Sequence, residues 1–127
     1  MHVVLAVDNV ERAKRFYDDA FGWKAHLEWP ERYAELVLSE DDRLGLYVRD
    51  GFAASAGIEP TEIGEARYTG AEVYVRVGDL AAAIERLGAA GATPLSERRE
   101  REWGDEAAYF ADPDGNVVAV ARRLEQR

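Results

Sequence analysis

The residues of this chain best suited to chemistry are gathered on two short strands. Alternation sets Glu72, Tyr74 and Arg76 on one face, opposite Val73, Val75 and Val77, whose uniform β-branching marks the helix-covered side. A carboxylate, a phenol and a guanidinium thus share a surface. A half-buried carboxylate has its pKa raised by desolvation, which makes Glu72 the candidate general base for a proton beside a carbonyl or on an epimerisable carbon. Tyr74 or Arg76 would stabilise the developing oxyanion. By the same alternation His2 shares a face with Val4 and Ala6, where it can act as partner acid. The plainer alternative is that Glu72 and Arg76 only pair with each other or with a neighbouring strand.

Composition removes other chemistries. The chain has no cysteine, which excludes a disulfide framework, a Cys-ligated zinc and a thiol nucleophile. Ser39, Ser55 and Ser96 fall in expected turns or loops with no histidine near them, and the glycines lack the spacing of a phosphate-binding loop. Sixteen Lys and Arg against 25 Asp and Glu give a charge of −9, so nucleic acid is not an expected partner; the charge confers solubility, or alternatively suits a cationic small ligand. No apolar run approaches the ~20 residues of a membrane span, and no basic leader precedes the first strand. The expected location is the cytoplasm. A length of 127 residues suits one domain with a real core.

The elements that must position these residues form two matching series. Val3 to Val7 reads as a strand, and Asp8 stands where a helix cap is wanted. The helix turns Val10, Ala13, Phe16, Tyr17 and Phe21 inward and stops at Gly22. Lys24 to Trp29, Tyr33 to Leu38 and Leu44 to Arg49 are strand-like, giving βαβββ. Residues 50–70 lapse into Gly, Pro, Thr and Glu, a linker that could also cover the site. Then Ala71 to Val77 alternates, Asp79 caps a helix bearing Leu80, Ala83, Ile84 and Leu87, and Gly88 or Gly91 closes it. Ala92 to Leu95, Ala107 to Ala111 and Val117 to Ala121 follow as strands, the last two joined by the turn Asp112-Pro113-Asp114-Gly115-Asn116. The charge-rich stretch from Glu97 to Glu102 reads as a solvated loop or edge strand.

Val7-Asp8-Asn9-Val10 falls on Val77-Gly78-Asp79-Leu80, and Phe21-Gly22 falls near Ala90-Gly91. The chain is therefore an internal duplication, with modules at about 1–49 and 71–122 in a single domain. Each module has one sheet face covered by its helix and the other open. The expected architecture is α+β, two βαβββ modules pairing their sheets around one cleft.

These motifs, with His2 to Ala13, Phe16-Tyr17, Gly88-Ala89-Ala90-Gly91 and Trp103-Gly104, resemble the vicinal oxygen chelate superfamily, which includes glyoxalase I, extradiol dioxygenases and bleomycin-binding proteins. The resemblance runs end to end. It implies a homodimer and a divalent metal held by four side chains, two from each module. The matching positions are His2, Gly45, Glu72 and Ala119, and neither Gly45 nor Ala119 can bind a metal. On the family pattern Tyr47 and Tyr109 face inward with Gly45 and Ala119, and Tyr33, Glu35 and Val37 can join them. Trp103 would lean over the cleft mouth, as could Phe52 and Tyr68.

Two functions follow from that reading. One is a binding protein without cofactor that takes up a small organic molecule, cationic or aromatic, through Tyr47, Arg76, Trp103 and Tyr109. The alternative is a glyoxalase-like lyase or isomerase, or a dioxygenase, that uses a divalent metal on His2 and Glu72, or Glu72 with Tyr74 and no metal.

Overall fold

The computed structural model describes residues 1–58 and 70–125. The first sheet contains β1 (His2–Val7), β2 (Lys24–Trp29), β3 (Tyr33–Val37) and β4 (Arg43–Val48), in the order β1-β4-β3-β2. The second contains β5 (Glu72–Arg76), β6 (Thr93–Glu100), β7 (Asp105–Ala111) and β8 (Val117–Arg123), in the order β5-β8-β7-β6. In each sheet the first strand runs parallel to the last and the remaining pairs are antiparallel. The helices are α1 (Val10–Phe21), α2 (Arg49–Ala56) and α3 (Leu80–Ala89). This is the expected α+β fold of two βαβββ modules.

Local chemistry sets the element ends. The cap of α1 is Asn9, whose side chain accepts from the Arg12 N–H at 3.0 Å, and not Asp8 as the sequence reading had it. Asp8 is engaged elsewhere, its carboxylate taking the Arg49 Nε–H at 2.8 Å. Gly22 ends α1 with φ of 73°, a left-handed conformation that suits glycine. The linker also differs from expectation. Its first part is α2, with Gly51 packed against the Tyr47 ring, and Tyr68 lies outside the described residues. The charged stretch continues β6 as the edge strand.

One apolar core serves both modules. Val10, Ala13, Phe16, Tyr17 and Ala20 of α1 meet Leu80, Ala83 and Leu87 of α3, over Leu36, Leu44 and Leu46 of one sheet and Phe110, Val118 and Val120 of the other. Polar contacts hold the junction. The turn after β7 sends Asp112 to accept from the buried Tyr17 hydroxyl at 2.7 Å, while Asp114 takes the Asp8 N–H at 2.7 Å and Arg12 Nη2 at 2.9 Å. Burial pushes the Asp112 carboxyl above its ordinary value. The modules are thus joined on their helix-covered sides, away from the opposite sheet faces. No helix among the described residues is long and apolar enough to cross a membrane.

Candidate functional site

The open face of the first sheet is read from its register. Tyr33 lies across from Tyr47, Glu35 from Gly45, and Val37 from Arg43, which is itself beside His2. Between Ala25 and Leu27 the β2–β3 pairing gains one residue, and that residue is His26. A bulge re-aims a side chain, and His26 Nε2 meets Glu35 Oε2 at 2.5 Å. From the other side His2 Nε2 approaches Glu35 Oε1 at 3.2 Å. Both histidines of the chain therefore converge on one carboxylate.

Tyr33 completes the group through the space that Gly45 leaves. A Cβ at Gly45 would stand 2.7 Å from the Tyr33 hydroxyl, so the ring lies where a side chain would otherwise project. The hydroxyl donates its single hydrogen to Glu35 Oε1 at 3.1 Å. Its 2.9 Å contact with His2 is then received from the Nε2–H of that ring, and His26 likewise donates from Nε2 to an acceptor-only carboxylate. Both rings are thereby oriented through Nε2, with side chains 41% and 44% exposed. The His26 hydrogen bond, followed by that from Tyr33, holds Glu35 below its ordinary value, while burial and then Glu35 push Tyr33 up to about 12. Trp29, Tyr33 and Tyr47 form successive edge-on pairs at 6.3 and 5.5 Å.

The open face of the second sheet has a different centre. Asp105 is fully buried, yet it sits among side chains that reach solvent. Its Oδ2 accepts from the Tyr74 hydroxyl at 2.5 Å and from Arg76 Nε at 3.0 Å, and Arg123 Nε stands 3.7 Å from Oδ1. Tyr74 in turn accepts from Trp103 Nε1 at 2.9 Å. The Tyr74 hydrogen bond and then the arginines keep Asp105 below its ordinary value against the opposing effect of desolvation. Burial and the Asp105 acceptor raise Tyr74. Tyr109 lies on the same row, separated from Tyr74 by Ala119, and its ring carries the Arg101 guanidinium at 5.0 Å. Trp103 and Tyr109 line a hollow of about 660 Å³ together with Ser96, Arg99 and Arg101.

The model of the Glyoxalase/Bleomycin resistance protein/Dioxygenase superfamily matches residues 1–120. The chain belongs to this superfamily. It is 28% identical to a glyoxylase-like domain-containing protein of Didymella fabae over 95% of this chain and 91% of that one. Among solved structures it is similar to a glyoxalase-related enzyme from Fulvimarina pelagi, with a TM-score of 0.82, 23% identity, and 96% and 86% of the two chains covered. It is also similar to a lactoylglutathione lyase from Agrobacterium tumefaciens, with a TM-score of 0.71, 22% identity, and 96% and 91% covered. These likenesses carry the fold.

The residues do not fit the four-ligand metal set that the resemblance implies. Tyr33 lies over Gly45, and Ala119 is flanked by Tyr74 and Tyr109. His2 is engaged with Tyr33 and Glu35, whereas Glu72 lines a separate hollow of about 370 Å³ with Met1, Val3 and Arg43. Among the described residues no group of three or more His, Asp or Glu is arranged to hold a metal ion.

The structure brings Tyr74, Arg76, Trp103 and Tyr109 together on the second sheet, with Arg76 5.8 Å from the Tyr74 ring centroid and Trp103 6.4 Å from it. Tyr47 lies on the first sheet under α2, and its hydroxyl meets Ser55 at 3.2 Å. His2 and Glu72 share no hydrogen bond or ion pair. Two central residues were missed from sequence. His26 is hidden by the bulge, and Asp105 lies two residues before the apolar run that marked β7. Asp105 still had a signal, being of like parity with Ala107 and Tyr109.

Proposed function

We propose that this member of the superfamily binds a small aromatic organic molecule on the open faces of its sheets, without a metal ion. The observation that carries this reading is the Tyr33 ring lying over Gly45, which gives a metal-ligand position to an aromatic hydroxyl. A small-molecule site is largely apolar and aromatic with a few fixed polar groups. Trp29, Tyr33 and Tyr47 on one face, and Tyr74, Trp103 and Tyr109 on the other, supply that surface around Glu35 and Asp105. In this reading the protein is a cytoplasmic homodimer, and the exposed Leu27, Trp29 and Trp103 meet ligand or partner.

The test is thermal unfolding in excess chelator with a panel of aromatic compounds. A ligand bound only by the folded state stabilises it by about 2.7 kcal/mol at one hundred times its Kd. Stabilisation in chelator, lost in Trp103→Ala, is the expected result. Stabilisation only after a divalent metal is added would overturn the reading.

A second reading has its own support in the imidazole pair. Glu35 takes both rings at Nε2 and leaves each Nδ1 without a hydrogen bond among the described residues, an arrangement that a general base can use. Under this reading the chain is a lyase or isomerase in which His2 or His26 removes a proton from the bound molecule, and Glu35→Gln abolishes turnover while leaving binding intact.

A further inference from the structure

We propose that the open face of the second sheet is a receptor for a carboxylate, so that the ligand is an aromatic acid and not a cation. This rests on the reading that the open faces bind an aromatic molecule, and it starts from how Arg76 and Arg123 are held. Guanidinium–carboxylate pairs are often bidentate, with two N–H groups in a fork. Arg76 instead donates to Asp105 through Nε, and Nε is also the nearest atom of Arg123 to that carboxylate. Neither arginine has another hydrogen bond or ion pair, so the four terminal nitrogens have no hydrogen-bond partner among the described residues, although the Arg76 guanidinium lies over the Tyr74 ring. Their side chains are 51% and 60% exposed, above an aspartate that solvent does not reach.

Arg101 shows the contrast. Its terminal nitrogen is engaged by Ser96 Oγ, the Glu97 carbonyl and the Ala107 carbonyl, so it braces the β6–β7 hairpin. Arg76 and Arg123 brace nothing beyond Asp105. The register puts Arg76, Ala121, Ala107 and Arg99 on one cross-strand row, so two alanine methyls floor the space between arginines. One buried negative charge therefore stands against two positive ones. Glu72, four residues from Arg76 on the same face, brings the face as a whole to an even count, and Glu100 and Glu102 line the neighbouring hollow, where Arg99 and Arg101 offset them. The net charge of −9 does not set the potential here, since charges beyond about 8–10 Å are screened at physiological salt. The Trp103 indole, hydrogen-bonded to Tyr74 and through it to Asp105, fixes an aromatic surface beside the arginines.

The experiment uses three probes that share the naphthalene ring system, 2-naphthoate, 2-naphthamide and 2-naphthylmethylamine, titrated calorimetrically into the full chain at low salt. The wild type is expected to bind the carboxylate about tenfold more tightly than the amide, one charge-assisted interaction. That preference is expected to vanish in Arg76→Gln and to shrink in Arg123→Gln. Equal affinity for carboxylate and amide, or preference for the amine, overturns the receptor and leaves the aromatic-binding reading standing. Binding of none of the three overturns both.

Discussion

Glu35 and Asp105 are the two carboxylates around which the open faces are organised, and they are held ionised by different means. Glu35 has two imidazoles and a phenol on its two oxygens, whereas Asp105 is out of solvent under Tyr74 and two arginines. A carboxyl held below its ordinary value in the folded state contributes stability above the unfolded pKa and loses it as pH falls through the folded one. For Glu35, with an ordinary value of 4.5, the contribution is complete above that pH and fades below it. Urea unfolding of wild type and Glu35→Gln at pH 7, 5 and 3 should show a stability gap that is full at pH 7 and smaller at pH 3. A constant gap would mean that Glu35 gains nothing from its neighbours. Strand alternation was enough to place Glu72, Tyr74 and Arg76 on one face, because that rule depends only on backbone pleat. It could not show His26, because a bulge breaks the alternation by one residue.

At the scale of elements, the duplication extends to the helix caps. Asn9 aligns with Asp79, and both cap their helices, each accepting from the N–H three residues on. Asp8 aligns with Gly78, which has no side chain to cap with. The α2 helix was illegible because its hydrophobic pattern is weak and its glycine argues against a helix. Gly51 is there because a Cβ would stand 2.4 Å from the Tyr47 ring. The turn between β7 and β8 was read correctly as a turn, but its docking on α1 depends on contacts made far along the chain. Tyr17→Phe removes the hydroxyl that Asp112 accepts from and leaves a buried carboxylate short of one donor. The expected loss is about 1–3 kcal/mol in urea unfolding. A variant as stable as wild type would show that this bond does not help to hold the modules together.

Across the whole molecule, two modules share one core on their helix sides and carry unlike groups on their open faces. One face holds the imidazole pair and Glu35; the other holds the arginines and Asp105. Repetition fixed the fold, and departures from it individualised the faces. Gly45 and Ala119 lie at matching places in the two modules, and tyrosines lie against both. The tryptophans give a direct readout, since they lie in different parts of this plan. Trp23 is stacked on Phe21 at 4.4 Å against the core, whereas Trp29 and Trp103 are half exposed on the first and second sheets. The decisive measurement is a titration of 2-naphthoate into chelator-treated protein, followed by the NMR signals of the three indole N–H groups. Binding on the open face of the second sheet predicts a saturating shift of the Trp103 signal, with Trp23 unmoved. A Trp103 signal that stays still, or moves only when a divalent metal is restored, would contradict the account.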